Sequence, residues 1–105
     1  MKALATVIVR ERIPGFVPAG VVAQVWRGSP RQHALGRLLA TGAVRVDPMD
    51  EDTAKAVGVM LARSGTSDVV DGHVALLGRR TRGVVYTSDP GDITALDDTL
   101  DVVSV

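Results

Sequence analysis

Residues 66–92, TSDVVDGHVALLGRRTRGVVYTSDPGD, contain the pattern that most restricts how this chain can fold. They predict a helix that begins with acidic residues, a tight return, and a short buried strand at Val84-Val85-Tyr86 that ends in a Ser-Asp-Pro-Gly turn. In an α/β fold, the start of such a helix and the carboxyl end of the following strand can meet at the same rim of the sheet. Because that rim is where α/β folds bind their ligands, the sequence places its candidate site there.

Four acidic residues fall at the two ends that this rim would bring together. Asp68 and Asp71 are three residues apart and share a face of the helix, whereas Asp89 and Asp92 follow the strand. Four carboxylates could not all remain ionised and close together without a cation, and hard oxygen ligands suit Mg²⁺ or Mn²⁺. Each acid also has an ordinary structural explanation, since acidic residues stabilise helix starts, caps and turns. Both interpretations remain open at this point.

Length and composition limit the classes of protein to which the chain can belong. It has 105 residues, which we interpret as a single domain over residues 1–105. Aromatic residues make up only 3% of the sequence, so the core must be aliphatic. The absence of cysteine excludes disulfides, thiolate metal sites and a cysteine nucleophile. The two histidines, His33 and His73, lie too far apart to suggest a zinc site by their spacing.

The formal net charge of zero means that no whole-molecule field attracts nucleic acid. Affinity for a polyanion would have to come from local clusters of arginine, of which the sequence has two: one at Arg27 and Arg31, the other at Arg79, Arg80 and Arg82. No apolar run approaches the roughly 20 residues needed to span a bilayer, and the N-terminus does not have the pattern of a signal peptide. We therefore expect a cytoplasmic protein with no membrane partner.

Strands and helices are predicted to alternate along the chain. The predicted strands lie at residues 15–18, 44–46, 84–86 and 102–105, and the predicted helices at 19–27, 30–41, 50–64, 68–80 and 93–100. Residues 3–12 fit either a strand or a helix. Ser29-Pro30 has the pattern of an N-cap followed by proline at the first helical position. This alternation predicts an α/β fold with a parallel sheet and flanking helices.

Two residues of the first predicted helix are further candidates. Gln24 lies near the predicted rim, where its amide oxygen could ligate a cation, although a polar residue on a half-exposed helix is the simpler interpretation. Trp26 is the only tryptophan. Packing in the core is the interpretation we favour for it, with an amphipathic anchor at an interface as the alternative.

Three segments together resemble the PIN-domain ribonucleases, and most closely the VapC-type toxins of type II toxin–antitoxin pairs. They are VPAGVVAQVWRG, TSDVVDGHVALL and VVYTSDPGDI, and the resemblance extends from about residue 13 to the C-terminus. It implies a PIN-like fold and an endoribonuclease that uses Mg²⁺ or Mn²⁺ to activate water against an RNA phosphodiester. By this resemblance, Asp71 and Asp89 are the catalytic metal-binding acids, and Asp68 and Asp92 are auxiliary metal ligands.

The sequence departs from the family in two places. The family usually opens with a central strand that carries an aspartate, and nothing before residue 13 supplies one, since Glu11 is not in such a setting. The family also commonly has glutamate where this chain has Gln24. We expect residues 4–9 to occupy the missing strand's place, between the Phe16 strand and the Val84 strand. One hypothesis is that the chain is truncated or that its true start lies upstream.

Two functions follow as hypotheses. The first is a VapC-like ribonuclease toxin, impaired by the missing acid and neutralised by a small VapB-like antitoxin. The second is a catalytically inactive PIN-like binding module. We also expect a homodimer, because a sheet without its first strand would leave backbone groups and aliphatic surface uncovered.

Overall fold

The computed structural model describes residues 6–8, as backbone, and residues 15–105 of the chain. Strands and helices alternate over most of this length. The strands are β1 (Thr6–Ile8), β2 (Gly15–Pro18), β3 (Val44–Asp47), β4 (Val84–Thr87) and β5 (Asp101–Ser104). The helices are α1 (Ala19–Val25), α2 (Arg31–Thr41), α3 (Glu51–Ser64), α4 (Val69–Thr81) and α5 (Pro90–Leu96). The predicted mixture of strands and helices is therefore confirmed.

The five strands form one sheet in the order β3-β2-β1-β4-β5. β2 pairs with β3 in parallel, and β4 pairs with β5 in parallel. β1 lies between these two pairs and is antiparallel to both neighbours, with Val7 opposite Phe16 on one side and Val85 on the other. The sheet is therefore mixed, and the expectation of a wholly parallel sheet is wrong at its central strand. A short return from β1 to β2 favours the antiparallel direction, because a parallel connection needs a crossover of a dozen or more residues.

β1 occupies the place expected for residues 4–9, between the Phe16 strand and the Val84 strand. Residues 4, 5 and 9, like Glu11, lie outside the described residues. Because the chain fills this position in its own sheet, an open central gap is no longer a reason to expect a dimer. The expectation of a homodimer then depends on the family resemblance alone.

Helix α4 lies at the centre of the molecule, and all eight residues from Asp71 to Gly78 are buried. Two glycines allow its close packing. A Cβ on Gly72 would lie 2.8 Å from Val57 Cγ1 of α3, and a Cβ on Gly78 would lie 2.8 Å from Val85 Cγ2 of β4. α4 is therefore packed closely against α3 near its start and against β4 near its end.

The ends of the longer helices follow ordinary capping chemistry. The Asp50 carboxylate accepts a hydrogen bond from the Thr53 N–H at the start of α3, and Gly42 and Gly65 end α2 and α3 in the left-handed conformation. Ser29 differs from the prediction, because its hydroxyl donates to the carbonyl of Val25 in α1 and does not cap α2. The Ser-Pro pair therefore joins α1 to α2.

Two details of the core and of the C-terminal region also differ from the prediction. Helical spacing places Ala54 on the same predicted buried face of α3 as Val57, Met60 and Leu61, but only the last three are buried and Ala54 is exposed. The short helix expected over residues 93–100 begins at Pro90 and ends at Leu96. The earlier start agrees with the preference of proline for the first turn of a helix.

Candidate functional site

A cavity of about 330 Å³ lies between the start of α4 and helix α5. Three of the four predicted acids line it: Asp68, Asp71 and Asp92. Leu96 contributes to the apolar side of the cavity, and Thr66 and Ser67 provide hydroxyl groups. Because α4 and β4 run in opposite directions, the start of α4 and the end of β4 lie on the same side of the molecule. The acids therefore meet near the rim that the sequence predicts.

Asp68 and Asp71 have different roles within this cavity. Asp68 is the N-cap of α4, where its Oδ1 accepts a hydrogen bond of 2.9 Å from the backbone N–H of Asp71. Thr66 and Ser67 precede this cap in the sequence. Asp71 lies in the first turn and is only 9% exposed. The positive end of the helix dipole stabilises an ionised carboxylate at this position. Asp71 is therefore the most buried acid of the cavity, held by a helix start that Asp68 orders.

Asp89 does not line the cavity with the other acids. It occupies the N-cap position of α5 without a capping hydrogen bond from its side chain, and its backbone N–H donates to Thr87 Oγ1 at 3.0 Å. Asp92 follows in the first turn of α5 and lines the cavity. Asp89, the acid at the end of the strand, therefore lies outside the cavity that Asp71 lines. Asp92, three residues further along the chain, lines this cavity instead.

The first turn of helix α1 also lies close to the start of α4. A Cβ on Gly20, in its first turn, would lie 2.8 Å from Val70 Cγ2 of α4, next to Asp71 in the sequence. Gln24 is half-buried one turn later, and neither it nor Ser88 lines the cavity. The start of α1 is therefore at the predicted rim, but the amide that we considered as a ligand is not part of the acidic cavity.

Trp26 does not pack in the core, and the interpretation that we favoured for it is wrong. Its side chain is 49% exposed, immediately after the end of α1. The edge of the ring lies against α2, where Trp26 Cη2 would be 3.4 Å from a Cβ on Gly36. The core beneath is filled instead by Val25 and Leu35, which are buried.

The acidic cavity fits a divalent cation only in a restricted sense. Carboxylates that line one cavity are suitable ligands for Mg²⁺. Within the described part of the chain, however, no group of three or more histidine, aspartate or glutamate side chains is arranged to hold a metal ion by itself. Mg²⁺ in proteins commonly keeps several waters and takes one or two carboxylates together with substrate phosphates. Asp71, with Asp68 or Asp92, matches that smaller ligand set.

A second polar arrangement on α4 was not predicted. His73 is 1% exposed, and its Nε2 lies 2.7 Å from Oδ2 of Asp47, at the carboxyl end of β3. Its Nδ1 is buried and has no hydrogen-bond partner. The pair spans 26 residues of sequence, so no local pattern announces it. The available signals were an acid directly after the predicted strand at 44–46 and a histidine inside the predicted helix at 68–80.

Two arginines of the second cluster, Arg79 and Arg80, form side-chain hydrogen bonds within the protein. In the second cluster, Arg79 Nε donates to Asp97 at 2.9 Å and Arg80 donates to Thr53 Oγ1 at 3.2 Å. The pKa of Asp97 is lowered, chiefly because Thr99 donates to its carboxylate, with Arg79 contributing. Arg82 ends α4 in the left-handed conformation. This cluster therefore lies at the C-terminal end of α4, where positive charge interacts favourably with the helix dipole.

Comparisons with known proteins do not assign the chain. Among residues 6–8 and 15–105, no helix combines the length and apolarity that crossing a membrane requires. No protein-family model matches the sequence, and no curated protein and no solved structure resembles it significantly. The function must therefore be argued from the cavity and from the resemblance of its motifs.

Proposed function

We propose that this chain is a PIN-like, VapC-type endoribonuclease that hydrolyses RNA phosphodiesters with the help of Mg²⁺ or Mn²⁺ at the acidic cavity. The observation that carries the proposal is that three acids, Asp68, Asp71 and Asp92, line one cavity of about 330 Å³. Stabilising the start of a helix would not by itself require these carboxylates to share a cavity. The arrangement of β1 between β2 and β4 adds support, because the family resemblance implies a strand in that position.

Each residue of the cavity has a definite part in this proposal. Asp71 provides a carboxylate that is largely withdrawn from water, where it interacts more strongly with a cation than an exposed acid does. Asp68 fixes the first turn of α4 through its bond to the Asp71 N–H. Asp92, exposed on α5, supplies a second negative charge from the facing helix. A bound Mg²⁺ would neutralise phosphate charge and promote the attack of water on phosphorus.

A metal titration tests the site directly. Isothermal titration with Mn²⁺ should show weak binding, because fewer carboxylates are present than the family's usual set. The Asp71→Asn variant should lose most of the heat, and Asp92→Asn should weaken binding more than Asp89→Asn does. Asp98→Asn, at an exposed acid after α5, is the matched control. Equal Mn²⁺ affinity in the wild type and in Asp71→Asn would contradict a metal site at this cavity.

A cleavage assay tests the reaction. Labelled single-stranded RNA should be cut in the presence of Mg²⁺ and preserved in excess chelator. Asp71→Asn should reduce the rate on the order of 100-fold or more, since a metal contributes several kcal/mol of transition-state stabilisation. A small VapB-like antitoxin should suppress the activity, and sedimentation equilibrium should show the homodimer that the resemblance implies. Cleavage that persists unchanged in Asp71→Asn would exclude this cavity as the active site.

The alternative is a catalytically inactive PIN-like module that keeps only a binding surface. It is favoured by three observations: β1 has the sequence Thr-Val-Ile without an acid, Gln24 stands where the family has glutamate, and no three described acidic or histidine side chains hold a metal by themselves. RNA binding without cleavage at any Mg²⁺ or Mn²⁺ concentration would support this alternative.

A further inference from the structure

The charges of this chain are strongly segregated along its length. Residues 15–46 contain four arginines and no acidic residue, a formal charge of +4. Residues 47–105 contain five basic and eleven acidic residues, a formal charge of −6. Residues 1–14 contribute the remaining +2. The net charge of zero therefore conceals a basic part of the molecule, built from β2, α1, α2 and the first three residues of β3, up to Val46. Its arginines are all exposed: Arg27, Arg31, Arg37 and Arg45.

The only tryptophan of the chain lies in this basic part. The ring edge of Trp26 lies beside Gly36 of α2, where a Cβ would be in ordinary van der Waals contact at 3.4 Å, and about half of the surface of Trp26 remains open to solvent. Tryptophan is enriched at binding surfaces, since burying such a ring removes a large apolar area from water. A ring that is supported on one side and open on the other can accept a stacked partner.

Two arginines adjoin the residues that form this contact. Arg27 follows Trp26 directly, and Arg37 follows Gly36 on α2. Within the described residues, neither Arg27 nor Arg37 forms an ion pair. In this respect they differ from Arg79, which is bound by Asp97. The cations beside Trp26 thus remain available to a ligand.

We propose that Trp26, Arg27 and Arg37 form a binding surface for single-stranded RNA, in which a base stacks on the indole ring and the arginines contact neighbouring phosphates. Stacking on an aromatic side chain combined with nearby positive charge is how proteins bind single strands without reading their sequence. The choice of RNA rests on the proposed function, whereas the surface itself is independent of the acidic cavity.

The position of this surface suits a strand that also reaches the cavity. Gly20, at the start of α1, packs against Val70, the neighbour of Asp71. Trp26 is six residues further, which corresponds to roughly 9 Å along the helix axis at 1.5 Å per residue. Helix α1 therefore connects this surface to the N-terminal turn of α4, which carries Asp71.

The intrinsic fluorescence of Trp26 provides a direct test, because no other tryptophan contributes to the signal. A mixed-sequence single-stranded RNA of about 12 nucleotides, titrated in chelator at low salt, should quench the emission. Binding by the variants is followed by the anisotropy of labelled RNA. Trp26→Ala should weaken binding roughly 5- to 100-fold, the range that base–aromatic stacking provides. Trp26→Phe keeps an aromatic face and should retain most of the affinity.

The arginines are tested through the salt dependence of binding. Arg27→Gln and Arg37→Gln should each reduce the slope of log affinity against log salt by about 0.7, the value for one phosphate contact in a single strand. Two controls come from α3, where Arg63 and Val59 are exposed on the acidic part of the molecule. Arg63→Gln and Val59→Ala should leave RNA affinity and slope unchanged. Circular dichroism melts confirm that each variant is folded.

Several results would overturn the inference. One is no RNA binding by the wild type; another is binding that is unchanged in both Trp26→Ala and Arg37→Gln. Poly-glutamate that quenches Trp26 more tightly than RNA would indicate an acidic protein partner instead. Metal-dependent cleavage with the same KM in Trp26→Ala would leave the proposed function standing and remove this surface. Conversely, Trp26-dependent binding without cleavage would leave the surface standing and remove the proposed reaction.

Discussion

Asp71 and His73 lie two residues apart on the same helix, but their side chains have different surroundings. Asp71 lines a cavity of about 330 Å³ together with two other acids. His73 is sealed against β3, with its Nε2 bound to Asp47 and its Nδ1 buried. Residues two apart on a helix point about 200° apart, so the two side chains face different neighbours: α5 for the first, β3 for the second.

This difference separates a polar group that is accessible to ligands from one that is not. A buried polar group that is closed off from solvent contributes to stability or specificity of packing, whereas one that lines a cavity can exchange its partners. We therefore expect changes at His73 and Asp47 to alter stability, and changes at Asp71 to alter ligand binding. The following predictions test this separation.

Removal of Asp47 should have the largest effect on stability. Asp47→Ala leaves the His73 ring fully buried with no partner for either nitrogen, which should cost roughly 1–3 kcal/mol of unfolding free energy. His73→Leu should cost less, because the Asp47 carboxylate that it leaves behind is 26% exposed and can bind water in place of the imidazole. Urea denaturation measures both. A His73→Leu variant that is less stable than Asp47→Ala would show that the imidazole contributes more than this single bond.

Gly72 lies between the two residues, and its substitution should disturb both regions through α3. In Gly72→Ala the new methyl group would meet Val57 Cγ1 at 2.8 Å and Leu61 Cδ2 at 3.1 Å. Such overpacking costs about 1–3 kcal/mol, and the better helix propensity of alanine offsets about 1 kcal/mol of it. We expect a net loss of up to about 2 kcal/mol. Gly58→Ala, which meets no atom within 4 Å, is the matched control and should be slightly stabilising.

Asp68 should separate capping from charge at the cavity. Asp68→Ala loses the bond to the Asp71 N–H and should cost about 1 kcal/mol without metal. Asp68→Asn keeps a good capping side chain and should cost only a few tenths of a kcal/mol. Denaturation with and without Mg²⁺ measures both effects. If Asp68→Asn is more stable than the wild type in the absence of metal, repulsion among the carboxylates exceeds the favourable interaction with the helix dipole.

The pH dependence of stability should be the smallest effect, since it comes from two acids that each accept local hydrogen bonds. The pKa of Asp50 is lowered chiefly by the hydrogen bond from the Thr53 backbone, and that of Asp97 chiefly by the hydrogen bond from Thr99. A lowered pKa in the folded state gives stability above the ordinary aspartate value of about 4, and this stability is lost as the pH falls through the lowered value. Acid titration monitored by circular dichroism tests this.

Asp50→Asn and Asp97→Asn should each flatten the loss of stability below about pH 4. At a pH below both the folded and unfolded pKa values, the wild type and the variants should converge, because both then carry neutral groups at these positions. A pH dependence that is identical in the wild type and in both variants would show that other groups determine the acid response.

Local sequence signals predicted most of the elements because their causes are local. Pro18, Gly42 and Gly65 end elements where the sequence indicates, since proline and glycine limit the backbone directly. The acids at 50–52 mark the start of α3 through the helix dipole and the cap. Asp92 lines the cavity and Asp89 does not, in a region where α5 begins at Pro90 and the prediction began the helix at residue 93. Local patterns locate a helix start only to within a few residues.

The arrangement of the site was only partly accessible in this way. Helical spacing places Asp68 and Asp71 at one helix start, and the structure confirms that placement. That Asp92 joins them, that Trp26 is exposed and that His73 meets Asp47 are results of packing between elements. The exposure of Trp26 depends on how α1 packs against α2. The contact of His73 with Asp47 depends on which element covers that face of α4, and periodicity alone does not decide this for a helix that is buried nearly all round.

The sequence by itself determined the alternation of helices and strands, the aliphatic core and the clustering of acids at the start of α4, because spacing, capping and residue shape act over a few neighbouring residues. Only the tertiary structure decided the antiparallel direction of β1, the sealing of His73 by Asp47 and the exposure of the ring of Trp26. These features join residues far apart along the chain, and their free energy comes from the surface that packed elements bury together.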